Sequence, residues 1–249
     1  MTRIAALWRH PIKGHGREAL ERTQLSEGCT MPWDRRWAVA HEEAKADADG
    51  SAWAVCHNFS RAAKAPQLMA ISTVSDEAAG SVTLSHPQRP DLTFDPDTQE
   101  ASFIEWVRPL MPENRAQSAR IIRVPGRGMT DSAFPSISIV NLASHRDLAT
   151  RMGQDISPER WRGNIHLDGQ EPWAERDWIG KTLRIGTAEL EVREHIVRCL
   201  ATTANPETGE RDADILGALD TQFSHQEFAV YAVVTRSGEV SVGDAAEVL

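Results

Sequence analysis

Residues 188–199 read AELEVREHIVRC, and their alternation decides the class of fold. Ala188, Leu190 and Val192 share one parity and Glu189, Glu191 and Arg193 the other. That is the two-residue period of a strand with one face on a core and one in water. Continued without a bulge, it places Cys199 on the polar parity, at the strand end and beside Arg198. A thiol so placed is either an inert, packed cysteine or one whose pKa the neighbouring cation lowers toward the thiolate. Spacing alone leaves both readings open.

Working outward, NIHLDG (164–169), TLRIG (182–186), FAVYAVVT (228–235) and EVSVGD (239–244) read as further strands. SISIV (136–140) is another, after which Asn141 caps a helix over LASHRDLATRM. Short helical stretches are expected around 157–161 and 211–220. Upstream, LMAIST, SVTLSH and DLTFD read as short strands, and SFIEWVRPLM as a helix closed by Pro109 and Pro112. Residues 41–66 suggest a loop with a short helix. The opening RIAALWRHPIK predicts a strand ended by Pro11 and followed by the turn Gly14-His15-Gly16. WDRRWAVAHE predicts a strand with Trp33, Arg35, Trp37 and Val39 on one face, so that Arg35 points where two tryptophans point. The expected fold is mainly β (α+β). The strand pattern is that of a β-barrel or sandwich, divided into residues 1–110 and 111–249 where apolar periodicity is weak.

A composition of 41% hydrophobic and 25% charged residues is that of a globular protein. No run approaches the roughly 20 apolar residues of a membrane helix, and the N-terminal apolar stretch is too short for a signal peptide, so the expectation is a cytoplasmic protein without a membrane partner. The net charge of −9 disfavours nucleic acid. Residues 1–36 nevertheless carry seven Lys/Arg against four acids, a balance of +3, so the rest sums to −12. A small basic patch on an acidic protein suits a compact anionic ligand. Cys29, Cys56 and Cys199 are odd in number and form no CxxC pair, which argues against a disulfide framework, a zinc knuckle or an iron–sulfur cluster.

RWRGNIHLDG, PWAERDWIGKTLRIG, the string IVRCLATTANPETGERD (196–212) and the terminal VSVGD follow one another in the second half. Together they resemble the MOSC domain, named for the C-terminal domain of molybdenum cofactor sulfurase. RHPIKGHG followed by WDRRWAV resembles the N-terminal β-barrel domain that precedes it in the mitochondrial amidoxime-reducing component and its bacterial relatives. The resemblance implies a smaller β-barrel-like domain over residues 1–110 before a β-barrel domain with flanking helices over 111–249. It also implies a bound molybdenum cofactor (Mo-molybdopterin) with Cys199 as catalytic metal ligand, a soft, strongly donating thiolate. It further implies Lys13 and Arg35 on the phosphate and Arg162 and Asn164 on the pterin edge, with Thr202 and Thr203 as donors. On this reading the charges at Lys13 and Arg35 pair with phosphate rather than with a core partner, and their replacement costs little stability. Two positions depart from the family's pattern: Gly14 follows the lysine and Val197 lies two residues before the cysteine, where the amidoxime-reducing relatives have serines. Ser136, Ser138, His15 or the Gly14 backbone are the candidates to compensate.

Three functions remain in view. The first is an oxidoreductase acting on N-hydroxylated or related oxygenated small molecules; with no flavin, haem or iron–sulfur motif in the chain, its electrons come from a separate reductase. The second is a sulfur or molybdenum-cofactor carrier with a persulfide on Cys199, supplied by a separate desulfurase. The third is a noncatalytic MOSC domain with a degenerate site. Under the first two Cys199 is essential, whereas Cys29 and Cys56 are dispensable.

Overall fold

The computed structural model describes residues 1–45 and 52–249, so residues 46–51 of the expected 41–66 loop lie outside the described residues. The chain opens with β1 (Arg3–Arg9), β2 (Ile12–Lys13), β3 (Glu18–Leu20), β4 (Arg22–Leu25) and β5 (Trp37–His41). It continues through β6 (Ser72–Asp76), β7 (Ser81–His86), β8 (Arg89–Phe94), α1 (Glu100–Val107), β9 (Ser118–Ile122), β10 (Ile137–Asn141) and α2 (Leu142–Met152). It ends with β11 (Ile165–Asp168), β12 (Thr182–Ile185), β13 (Ala188–Val197), α3 (Ile215–Phe223), β14 (Glu227–Arg236), β15 (Gly238–Ser241) and β16 (Ala246–Val248). The protein is mainly β with few helices. As the sequence predicts, Asn141 caps α2, its side chain accepting the Ala143 N–H at 3.0 Å, and Gly153 closes the helix in the left-handed region.

An eight-stranded sheet runs in the order β16-β12-β13-β14-β10-β11-β1-β3. With the β4–β15 ribbon it wraps one apolar core, to which Leu7, Leu25, Ile139, Leu167, Leu190 and Val240 contribute. Each such side chain, fully buried, contributes roughly 1.5–3 kcal/mol. At Gly238 the ribbon crosses so close to the β12–β13 turn that a Cβ would lie 2.3 Å from the Thr187 carbonyl carbon, which fixes glycine there. The second core packs the β2-β5-β9 and β6-β7-β8 sheets and α1, around Trp37, Leu68, Phe94 and Phe103. Strand pairing crosses the division drawn at 110/111: β1 lies antiparallel to β11, with Leu7 opposite Ile165, and β4 pairs with β15. The chain then passes within a few residues from the large sheet at Arg9 to the small one at Ile12, which leaves Lys13 on the seam.

The strand expected over 33–42 begins only at Trp37. Trp33 and Arg35 have φ of 62° and 51°, which breaks the alternation. The cause is a local capture: the buried Asp34 carboxylate accepts the His10 N–H at 2.9 Å, and the Arg35 N–H reaches the His10 carbonyl at 2.7 Å. Trp33 and Trp37 still meet edge to face at 5.1 Å, but the guanidinium above them is Arg36, at 5.0 and 5.2 Å, and not Arg35.

Five histidines are buried, and three of them, His10, His15 and His166, are at most 1% exposed. Burial holds His10 well below its ordinary pKa, and pushes His15 down to about 4 and His166 down to about 3. The unfolded chain therefore takes up protons below pH 6.5 that the fold refuses, and stability falls with pH from there to pH 4, by up to about 3 kcal/mol per ring. Asp34 acts in a different window: burial raises its carboxyl, but the Arg35 guanidinium and His10 outweigh that and hold it below the usual range, so its contribution persists to about pH 4 and fades only below. Urea midpoints measured between pH 7 and pH 4.5 are expected to drop steadily; a flat profile would mean that the rings are charged in the fold.

Candidate cofactor site

A cavity of about 390 Å³ has Lys13, Arg35, Arg162, Arg198, Cys199 and Tyr231 on its wall, and its Trp161, Ile196 and Tyr231 belong to a third apolar cluster that includes Leu148 of α2 and Leu219 of α3. Arg61 and Arg160 also line it, so six cations face one hollow in a protein of net charge −9. Such a wall concentrates positive potential.

Lys13 reaches the cavity from the end of β2, its ammonium donating to the Met129 carbonyl at 2.7 Å and to Asp131 Oδ1 at 2.5 Å. The following Gly14 has φ +77°, and a Cβ there would lie 2.7 Å from the Ser60 carbonyl oxygen. A serine cannot stand at that position without moving the 60–61 backbone, which is the physical reason for the first departure from the family pattern. Arg35 leaves its turn with one guanidinium nitrogen on Asp34 Oδ2 and the other donating to the Arg162 carbonyl at 3.0 Å. Lys13 is buried and Arg35 nearly so, and both are paired within the protein, Lys13 with the half-exposed Asp131 and Arg35 with the buried Asp34. The expectation that they have no partner in the protein is therefore corrected, and Arg35 is not removable at little cost.

Arg162 closes the short helix Pro158–Trp161 in the left-handed conformation, φ 49°. Its two terminal nitrogens are buried with no hydrogen-bond partner among the described residues. Burial, and then the nearby Arg35 guanidinium, lower its pKa to about 9. A guanidinium in this condition is a standing demand for an anion. Arg160 Nε and Arg198 Nη2 are orphaned in the same way.

Cys199 is exposed and follows β13 directly, at the start of the short helix Leu200–Thr203. Its carbonyl accepts both the N–H and the hydroxyl of Thr202, at 3.1 and 3.0 Å, which fixes the backbone under the thiol. Register breaks with β14, including those between Val192 and Glu194 and between His195 and Val197, turn Glu194 out of the core parity, but Ile196 is again buried and Val197 exposed, and Cys199 is exposed as the sequence alternation placed it. Arg198, expected to attend the thiol, turns to the Phe228 and Trp161 carbonyls at 2.8 and 2.9 Å.

The cavity thus gathers Lys13, Arg35, Arg162, Cys199 and Thr202, but not Asn164 or Thr203. Asn164 Oδ1 accepts the Ser138 N–H and hydroxyl at 3.1 and 2.8 Å, and its amide donates to the Trp8 carbonyl, so the carboxamide binds β10, β11 and β1 together. Thr203 donates to the Leu200 carbonyl at 2.8 Å and accepts from Arg211. Of the compensating candidates, Ser138 and Gly14 line the cavity; Ser136 is engaged by Ser132, and His15 is buried against Phe103.

Sequence reasoning missed several polar lining residues. Asp131 stands in a loop without periodicity. Tyr231, the one tyrosine of the chain, lies on β14 with burial pushing its phenol upward. Arg61 donates to Cys56 Sγ at 3.1 Å, and so brings Cys56, expected to be remote, to the cavity wall. Arg160 was within reach, since it sits in the quoted RWRGN string. Among the described residues no group of three or more His, Cys, Asp or Glu is placed to hold a metal ion, and no helix is long and apolar enough to cross a membrane.

A model of the MOSC domain matches residues 130–247, and one of the MOSC N-terminal beta barrel domain matches residues 1–112. Mitochondrial amidoxime-reducing component 1 of Mus musculus is 26% identical over 247 residues, covering 84% of this chain and 67% of that protein. The Homo sapiens protein of the same name is 23% identical, covering 97% of this chain and 81% of the relative. Molybdenum cofactor sulfurase of Caenorhabditis briggsae is 34% identical over 123 residues, 46% of this chain but 16% of that protein. With nearly all of its length matched by these two models, the chain belongs to the MOSC-domain proteins, in the arrangement where a MOSC N-terminal β-barrel domain precedes the MOSC domain.

Proposed function

We propose that the chain binds a molybdenum cofactor in this cavity and reduces N-hydroxylated or related oxygenated small molecules, with electrons from a separate reductase. The observation that carries the reading is Arg162: two buried, unpartnered guanidinium nitrogens on a wall shared with Lys13, Arg35 and an exposed Cys199. The names of the relatives support the same class of chemistry. When bound, the cofactor supplies two-electron redox chemistry at a metal. Lys13, Arg35 and Arg162 hold its anionic end, Cys199 offers a soft thiolate from a backbone fixed by Thr202, and Asn164 aligns the strands behind the wall. In the overall reaction the N–O bond breaks, two electrons and two protons enter, and water leaves.

The exposure of Cys199 favours a second reading, a carrier that bears a persulfide received from a desulfurase. Molybdenum, pterin and sulfane-sulfur analysis of protein made in a cofactor-producing host separates the two. Near-stoichiometric metal with turnover of N-hydroxybenzamidine supports the reductase, labile sulfur without metal supports the carrier, and neither sinks both. Lys13→Met is expected to lower cofactor retention about tenfold, because one charge-assisted contact worth about 1.5 kcal/mol is lost. Its melting temperature should barely move, since the partner left behind, Asp131, has 52% of its side chain exposed to the cavity. Unchanged pterin content would remove Lys13 from the site.

A further inference from the structure

Glu194 has no assigned role and an unusual position. By the strict alternation of β13 it shares parity with Leu190 and Val192 and would enter the core. The register break between Val192 and Glu194 prevents this, pairing Glu194 with Tyr231 and turning it out as an exposed side chain on the cavity. Bulges re-aim side chains in this way beside functional sites. The opposite strand carries its own distortion, with Ala229 at φ 68°, a conformation that costs a non-glycine residue energy. Both strands of the pair therefore depart from regular geometry within two residues of Glu194 or Tyr231.

The redirected carboxylate has no ion pair or hydrogen bond among the described residues, although six cations line the same hollow. Directly across the ladder, the Tyr231 hydroxyl also has no hydrogen-bond partner among them. Beyond Glu194 the wall carries the apolar side chain of Val197, 70% exposed, two residues before Cys199. The cavity is therefore polarised. Its six cations are buried or half-buried, whereas Glu194, Val197 and Cys199 are exposed on the same wall, with the half-buried Tyr231 phenol across the ladder from Glu194.

We infer that Glu194 is a specificity-determining residue, selecting substrates whose reacting nitrogen becomes part of an amidinium-type cation, with an apolar substituent resting on Val197. The inference rests on the reductase reading. An N-hydroxyamidine is a weak base and largely neutral at pH 7, whereas the amidine left after the N–O bond breaks is a strong base and carries a proton. Positive charge thus grows at the nitrogen during the reaction, and a fixed carboxylate beside it stabilises the later stages more than the substrate. The same carboxylate disfavours oxyanion substrates.

The test is calorimetric titration of benzamidinium, and of its neutral isostere benzamide, into the protein as purified, wild type and Glu194→Gln. Wild type is expected to bind benzamidinium at least tenfold more tightly than benzamide, and Glu194→Gln to lose that preference with an unchanged melting temperature. Equal affinities in wild type, no binding of benzamidinium, or a preference that survives Glu194→Gln would each overturn the inference. Molybdenum content and N-hydroxybenzamidine turnover, measured on the same preparations, report separately on the reductase reading. A benzamidinium preference without turnover overturns only the latter, and turnover without preference overturns only the role of Glu194.

Discussion

Cys199→Ser is expected to reduce turnover of N-hydroxylated substrates to the uncatalysed level and to alter the molybdenum spectrum, while the protein stays folded and retains pterin. The thiol is exposed and no part of either core, so the exchange of sulfur for oxygen should change stability by no more than about 0.5 kcal/mol. A serine hydroxyl keeps its proton at neutral pH and is a poor ligand for a metal that prefers soft donors. Lys13, Arg35 and Arg162 are untouched, which is why pterin should remain. Cys29→Ser is the clean control, because Cys29 is exposed and not among the cavity residues. Cys56 cannot serve as that control, since it lines the cavity with Arg61 on its sulfur. Wild-type spectra and rates in Cys199→Ser would end the assignment of this residue as ligand.

The largest loss of stability is expected from Asp34→Ala. The carboxylate is 1% exposed and holds the His10 N–H, the Arg35 guanidinium and, at 3.4 Å, the His10 ring. Its removal leaves a buried backbone donor unsatisfied and a guanidinium, 11% exposed, with only the Arg162 carbonyl, and breaking a largely buried pair from one side costs about 3 kcal/mol or more. For a chain of this size that is a fall in melting temperature of about 6 °C or more. Cofactor retention should fall as well, since Arg35 loses the partner that aims it. A shift under about 2 °C would show that Arg35 does not depend on Asp34 for its place.

Much of this was legible in the sequence because it is encoded locally. The alternation from Ala188 to Val192 marks a strand, Asn141 marks the start of α2, and Lys13, Arg162 and Cys199 stand in strings that few proteins share. What escaped was decided by groups distant in sequence or by exceptions to a period. Arg35 was read as a strand residue because nothing local says that Asp34 will capture the backbone of His10, 24 residues earlier. The irregular register of β13 follows from its fit to β14, and without it Glu194 reads as a core position. Asn164 and Thr203 have the right chemistry for ligand contact, but Ser138, Trp8, Leu200 and Arg211 use their polar groups first. Cys56 reaches the cavity from a segment with no periodicity at all.

The pairing of β1 with β11 and of β4 with β15 bears on how the protein is made. During synthesis the first strands leave the ribosome long before residues 165–168 and 238–241, with which they pair, exist. Until then their apolar residues Leu7 and Leu25 have no completed core to enter. Contacts of such sequence separation close slowly, and the waiting strands expose edges open to wrong partners. Lys13 lies between β1 and β5, so the basic hollow takes shape only after the large sheet has closed on its first strand. On the proposed function, a nascent or truncated chain lacks the assembled hollow, and loading of the cofactor is expected only in the finished protein.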